Sequence, residues 1–248
     1  MYGFYCGFIV MVEPVRLRAL ANRHSIEFML VGAIALIVIM VFVTLRATPI
    51  SVLEIALASA AIVAIMLGFL KSQQPYYSIE MSPRQLVYHH KFGELLLEHS
   101  NFHSSGVPSV TQGVETLELN VVGIKLKDID VFLSRLTPRL AGKLLIEQRN
   151  IFLQAVKIHC SNGNCPSEWL IEEASYTSEN GQHYSGLMAM FANRMQNFKT
   201  LTGYDLMLPA NVLDRDIWQF ATVMNRWKLT PEEVVKNLHS ELATSAMK

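Results

Sequence analysis

The sequence predicts an α+β membrane protein: an N-terminal transmembrane helical hairpin followed by a cytoplasmic domain with an antiparallel sheet and several helices. Three observations carry this expectation. Two long apolar segments, 28–45 and 50–70, lie close together near the N-terminus. Alternating strand patterns crowd residues 77–126, and helical apolar stripes take over after 128. Hydrophobic residues make up 51% of the chain and charged residues only 17%, against about a quarter in a typical soluble protein, and the shortfall lies mostly in the apolar pair.

The first segment, FMLVGAIALIVIMVFVTL, carries no charge, and the second, ISVLEIALASAAIVAIMLGFL, carries only Glu54. A helix rises 1.5 Å per residue, so crossing a hydrocarbon core of roughly 30 Å takes about 20 residues. Both segments have that length. Arg46-Ala47-Thr48-Pro49 between them is only a turn, so the two helices must be antiparallel, with both outer ends on one side. Arg16, Arg18 and Arg23 precede the first segment, Lys71, Arg84 and Lys91 follow the second, and the turn holds only Arg46. Basic flanks stay cytoplasmic. The expected location is therefore the cell inner membrane, with two spans, both termini cytoplasmic, and residues 1–27 as a cytoplasmic N-terminal segment. A cleaved signal peptide fits poorly, because the first segment is long and no small-x-small cleavage site follows it. The first ten residues, MYGFYCGFIV, precede a more ordinary start at Met11 and are assigned no function, Cys6 included.

Within the hairpin, Ser51-Val52-Leu53-Glu54 has the spacing of a capping box, so Ser51 and Glu54 are expected to cap the second helix. This reading is preferred to one in which the carboxylate belongs to an ion path. Ala56, Ala60, Ala64 and Gly68 recur every four residues and are expected to be a transmembrane packing face. Small residues let helix backbones approach closely. The stripe would face the first span, a second copy of the chain, or another membrane protein.

The cytoplasmic α+β domain is expected over 75–248, with a helix-rich C-terminal part from about 160. Strands are predicted from Tyr77 to Met81, Gln85 to Lys91, Glu94 to Glu98 and Leu117 to Leu126, with 101–113 read as a Ser-, Gly- and Pro-rich loop. Asp128 to Leu136 reads as a short helix. Thr137-Pro138 opens another, running to about Val156. Asn180-Gly181 is a tight turn, and Ser185 to Leu201 is a helix ending at Gly203. Tyr204 to Leu208 is a strand stopped by Pro209, and Asp214 to Trp227 is a helix. Thr230-Pro231-Glu232-Glu233 opens the last helix with a capping box and a first-turn proline.

The stretch YYSIEMSPRQLVYHHKFGELLLEHSNF reads as strand, turn, strand, aromatic-Gly break, strand. In that order it resembles bacterial membrane proteins in which two spans precede a pleckstrin-homology-like domain. YDLMLPANVLDRDIWQFATVMNRW, a strand ending in Leu-Pro before a helix, is a second point of similarity. VGIKLKDIDVFLSRLTPRLAGKLLIEQR and GLMAMFANRM resemble an uncharacterised gammaproteobacterial two-span family, domain-of-unknown-function family 2982. That resemblance covers most of the chain beyond Met11. It implies an inner-membrane location and no known activity, and it supplies no catalytic residue. The helices after Asp128 depart from a plain pleckstrin-like barrel.

No motif carries catalysis, and neither a cofactor nor a bound metal is expected. His159, Cys160 and Cys165 cluster around a turn, but a structural zinc site needs four ligands. His89 and His90 share a strand and so point to opposite faces. Lys125, Lys127, Arg135, Arg139, Lys143, Arg149 and Lys157 outnumber Asp128, Asp130 and Glu147 over the same stretch. Glu168, Glu172, Glu173 and Glu179 follow as an acidic counterpart that could pair with this basic face. Arg135, Arg139 and Lys143 are the lipid-headgroup candidates, because basic residues tethered near an anionic leaflet are attracted to it. Nothing suggests nucleic acid. The expected function is a non-enzymatic interaction or scaffolding module at the cytoplasmic membrane face, contacting membrane lipid. Two alternatives stand beside it. One is a subunit of a transport or envelope complex docking through the second helix. The other is a membrane-associated enzyme using residues such as His159, Cys160 and His183.

Overall fold

The structure, a computed structural model, describes residues 13–19, 25–46, 51–72, 75–112, 115–159 and 173–246. Helices α1 (Ser25–Leu45) and α2 (Val52–Ser72) form the hairpin. Both are apolar around their whole circumference, so neither has a polar face to offer water. Only 6% and 11% of their apolar windows are buried, whereas the core helix of a soluble protein would be enclosed. Both helices are long and apolar enough to cross a membrane.

The helices meet where a glycine removes a side chain. A Cβ on Gly32 would stand 2.8 Å from Ile65 Cγ1 and 2.9 Å from the Ala61 carbonyl oxygen. The buried residues of α2 are Ala61 and Gly68, while Ala56 and Ala60 are exposed and Ala64 is half-buried. The four-residue stripe therefore splits between the seam and the outer surface. Each step of four residues overshoots a full turn by about 40°, so such a set cannot keep one face along the helix. At the turn, the Ser51 N–H donates to Glu54 Oε2 at 2.8 Å and the Glu54 N–H donates to Ser51 Oγ at 3.4 Å. Arg46 lies 3.9 Å from the other oxygen of the same carboxylate.

Strands β1 (Val15–Leu17), β2 (Ile79–Met81), β3 (Gln85–His90) and β4 (Gly93–Glu98) form an antiparallel sheet in that order. β1 precedes the hairpin and β2 follows it. They pair as Val15↔Met81, Arg16↔Glu80 and Leu17↔Ile79, and the Ser78 N–H donates to the Leu17 carbonyl at 3.0 Å. Val15 and Leu17 point into the core, while Arg16 reaches Glu80 at 3.1 Å on the outer face, as strand alternation requires. Three residues are too few for that period to register in the sequence, which gave this segment no structure.

A second antiparallel sheet has the order β11-β8-β5, built from β5 (Phe102–Gly106), β8 (Val121–Leu126) and β11 (Leu206–Pro209). β6 (Ser109–Gln112) and β7 (Glu115–Glu118) form a hairpin between β5 and β8. The expected loop over 101–113 is thus mostly strand, and its small residues have a packing cause. The Tyr204 ring lies across the sheet, and a Cβ on Gly123 would stand 2.5 Å from its Cγ. Gly106 is overlaid by the hydroxyl end of the same side chain. Residues that look like loop punctuation are those that let an aromatic ring lie flat on the strands. The strand expected over 117–126 is interrupted at Leu119-Asn120, where the Leu119 N–H bonds to the Pro108 carbonyl at 2.9 Å.

The helices are α3 (Ile129–Leu133), α4 (Pro138–Glu147), α5 (Arg149–His159), α6 (Gly186–Thr202), α7 (Ile217–Leu229) and α8 (Pro231–Ala246). Gln148 divides the helix expected to run unbroken from Pro138. Its buried side chain donates to the Met207 carbonyl at 2.9 Å. β9 (Ser175–Thr177) and β10 (His183–Ser185) flank the Asn180-Gly181 turn, where Gly181 has φ +80°. The Thr230 hydroxyl donates back to the Arg226 carbonyl at 3.5 Å, although Pro231 does begin α8.

α7 joins the two sheets. Asn225 accepts from the Ser105 N–H at 2.9 Å and donates to the Ser105 carbonyl at 2.8 Å, which fixes α7 to β5. The fully buried Trp227 donates from its indole N–H to the Ser82 carbonyl at 2.8 Å, at the β2–β3 turn. Its ring lies 5.7 Å from that of Phe102. α8 packs against β1, and His239 Nε2 lies 2.8 Å from the Glu13 carbonyl oxygen.

Candidate anion site at the hairpin–domain junction

A cavity of about 440 Å³ opens where the hairpin meets the domain. Leu70, in the last turns of α2, and Ala19, just after β1, are among the residues that line it. His90, Lys91 and Phe92, at the β3–β4 turn, face Lys143 and Glu147 of α4. α4 starts against this turn: a Cβ on Gly93 would meet Thr137 Oγ1 at 3.2 Å, and Thr137 caps the helix by accepting from the Leu140 N–H. Arg139, Lys143 and Glu147 then follow at four-residue spacing, which places neighbouring members on adjacent turns of one face.

Phe92 is the focus of the positive charge. Lys91 Nζ and Lys143 Nζ each lie 5.3 Å from its ring centroid, and the Arg139 guanidinium carbon lies 5.9 Å away. The negative face of an aromatic ring attracts each cation by about 0.5–1 kcal/mol at an exposed site. Among the described residues, Glu147 is the one carboxylate lining the cavity. It lies 3.9 Å from Lys143 and 3.3 Å from His90 Nε2. Lys91 and Lys143 outnumber Glu147 in the lining, and Arg139 stands beside them at Phe92, so the site is net positive. Burial, and next the Glu147 charge, push the Tyr88 phenol well above its ordinary value, so it lines the cavity as a protonated hydroxyl. The Ser78 hydroxyl is engaged with the Leu17 carbonyl at 3.3 Å. Fixed cations and a neutral phenol suit this cavity to holding an anion.

Beside the cavity, the domain end of the hairpin is ringed by aromatic and basic side chains. Tyr76 and Tyr77 are exposed and pack edge-to-face at 4.8 Å. Arg18 lies 4.4 Å from the Tyr76 ring centre, Arg16 5.8 Å from that of Tyr77, and Lys71 5.3 Å from that of Phe28. Such residues are enriched where a helix leaves the hydrocarbon for the headgroups.

Of the three headgroup candidates, the structure brings Arg139 and Lys143 together at Phe92. Arg135 instead pairs with Glu98 at 3.2 Å on the outer end of β4. Lys91 and Phe92 were not singled out. They sit about fifty residues upstream, and the Phe-Gly dipeptide reads as punctuation. Ser51, Glu54, Ala56 and Ala60 belong to the turn half of the hairpin. His89 faces Glu94 at 3.1 Å and Glu80 at 3.7 Å, while His90 turns to Glu147. His183 is within 3.0 Å of the Thr177 hydroxyl. Cys160, Cys165 and the side chain of His159 lie outside the described residues, as do Glu168 and Glu172. Among the described residues, no three His, Cys, Asp or Glu side chains gather to hold a metal ion.

A second polar cluster ties β9–β10 to α3. Asp130 accepts from Ser178 at 2.7 Å, Asn180 at 2.9 Å and Tyr184 at 2.9 Å. Burial alone would raise the Asp130 carboxyl, but these three bonds outweigh it and hold the carboxyl below its ordinary value. Burial and then the bond to Asp130 push the Tyr184 phenol to about 12.

These features define a class: an α+β domain whose sheet closes around both ends of an apolar helical hairpin. Residues 79–230 match the family described as protein of unknown function (DUF2982), and the chain belongs to that family. The match runs from β2 to just past α7, so β1, the hairpin and α8 lie outside it. Comparison with curated proteins and with solved structures finds no match.

Proposed function

We propose that the protein is a non-enzymatic interaction module anchored in the cell inner membrane by two spans, with both termini and the whole α+β domain cytoplasmic. In this reading the domain is a pleckstrin-homology-like barrel that lies against the leaflet and contacts anionic lipid. The carrying observation is the pairing of β1 with β2 across the hairpin. It holds both outer helix ends at one edge of one sheet, so the domain cannot drift from the surface as it would on a flexible linker. The strand order supports the same reading, with a four-stranded meander whose first connection is the hairpin, a second antiparallel sheet of order β11-β8-β5, and a helix bridging the two sheets. The basic flanks favour the cytoplasmic side.

The test is labelling of the full chain with a membrane-impermeant thiol reagent in intact spheroplasts, using single reporter cysteines at Thr48 and Lys157 in a background with Cys6, Cys160 and Cys165 replaced by serine. Thr48→Cys should label without lysis and Lys157→Cys only after it. Labelling of Lys157→Cys in intact spheroplasts, or release of the chain by alkaline carbonate, refutes the placement.

A second reading, docking to another membrane protein, is favoured by the exposure of Ala56 and Ala60 on α2. A partner that copurifies in mild detergent and is lost on Ala60→Leu would support it, and a lone monomer counts against it.

A further inference from the structure

We infer that the cavity at the hairpin–domain junction is a binding site for the phosphate of one anionic phospholipid, held by Lys91 and Lys143 in its lining and supported by Arg139 beside them at Phe92. This rests on the membrane reading above and deepens it from a general attraction to a built site.

Three observations converge on the cavity. Its position comes first: Leu70 forms part of the wall, two residues before α2 ends, which is the depth at which headgroups begin if the hairpin spans. Charge comes second. Lys91 and Arg139 make no ion pair with any carboxylate among the described residues, and Lys143 shares Glu147 with His90. Yet all three cations gather around one ring, an arrangement whose mutual repulsion an anion would relieve. Third, the space fits: about 440 Å³ lies within the ~300–1,000 Å³ usual for ligand pockets. The lining is also mixed: the hairpin contributes the apolar Leu70, and the domain contributes the charged Lys91 and Lys143. A phosphodiester on the domain side would leave its glycerol and acyl chains directed toward the hairpin. General electrostatic attraction has no use for this geometry and would draw on Arg135 equally, although Arg135 sits at Glu98 instead.

The test uses the full chain in mild detergent, with intact-complex mass spectrometry after adding phosphatidylglycerol, phosphatidylcholine of matched acyl chains, or soluble glycerol 3-phosphate. One phosphatidylglycerol should be retained under conditions that strip phosphatidylcholine. Replacing Lys91, Arg139 and Lys143 together with alanine should weaken retention on the order of 100-fold. Arg135→Ala should leave it unchanged. Glu147→Gln, which removes the competing carboxylate, should strengthen retention several-fold, so the inference stays testable even if the triple variant fails to fold. Equal retention of the two lipids, an unchanged affinity in a folded triple variant, or no gain in Glu147→Gln overturns it. Binding of glycerol 3-phosphate without phosphatidylglycerol overturns it as well, because the site would then serve a soluble phosphate. Thiol labelling reports insertion independently. Lost lipid selectivity with intact topology sinks this inference alone, and failed topology sinks the reading beneath it.

Discussion

Replacing Leu17 with alanine should loosen the domain at the edge it shares with the hairpin, and the size of the effect follows from the packing. Leu17 is 1% exposed, and truncating a buried leucine to alanine costs about 2–5 kcal/mol, depending on how far the site collapses. β1 is an edge strand of three residues, able to relax, so the lower half of that range is expected. The readout is the Ser78 amide, whose hydrogen bond ends on the Leu17 carbonyl at 3.0 Å. At about 1.4 kcal/mol per factor of ten, its hydrogen exchange in the full chain in detergent should quicken by roughly 30-fold or more. Arg16→Ala is the internal control. Its side chain is mostly exposed and pairs with Glu80 on the surface, an interaction of about 0–1 kcal/mol, so exchange should change by no more than a few-fold. If Leu17→Ala leaves Ser78 exchange unchanged in a folded protein, β1 does not hold the sheet edge and the clamp on the hairpin does not exist.

Two further predictions concern the domain interior. Gly123→Ala places a methyl group 2.5 Å from Tyr204 Cγ, so it should destabilise by about 1–3 kcal/mol in denaturant unfolding. Combined with Tyr204→Ala it should cost less than the sum of the two, and strict additivity would show that the ring does not lie on the strand. Asp130→Asn removes the charge that accepts from Ser178, Asn180 and Tyr184. The folded carboxyl is held below its ordinary value, so its contribution is complete above about pH 4, the unfolded value, and fades as pH falls through the folded one. The wild type should thus lose stability in that acid range while Asp130→Asn shows a flatter profile there and starts about 1 kcal/mol lower at neutral pH, a modest figure because water reaches the site. Parallel acid profiles for the two proteins would refute the assignment.

Some parts of this molecule are legible from sequence, and others are hidden for physical reasons. The hairpin is legible because an apolar run of that length has few other uses. Its helix-start geometry at Ser51 and Glu54 is legible because capping is local. β2, β3, β4, α3, α6, β11, α7 and α8 follow from periodicity and from Gly and Pro punctuation. β5 is hidden because its Gly106 makes room for a ring contributed by Tyr204, about a hundred residues away, and its Ser105 is tied to Asn225 of α7, which is more distant still. The candidate site is half legible. Arg139 and Lys143 stand out as a charge bias along one helix face, but nothing local marks Lys91 and Phe92 as their neighbours, because a turn from a different part of the chain delivers them. Arg135 shows the limit of reading charge by stretch, since it belongs to the same run yet lies just past α3 and pairs with Glu98.

The insertion of the hairpin between β1 and β2 also governs the order in which the protein can be made. β1 leaves the ribosome about sixty residues ahead of β2, its strand partner among the described residues, with the apolar hairpin between them. The four-stranded sheet therefore cannot close until the whole hairpin has been made. A truncated chain beginning at Pro75 would lack that strand and present β2 as a bare edge, open to pairing with other chains.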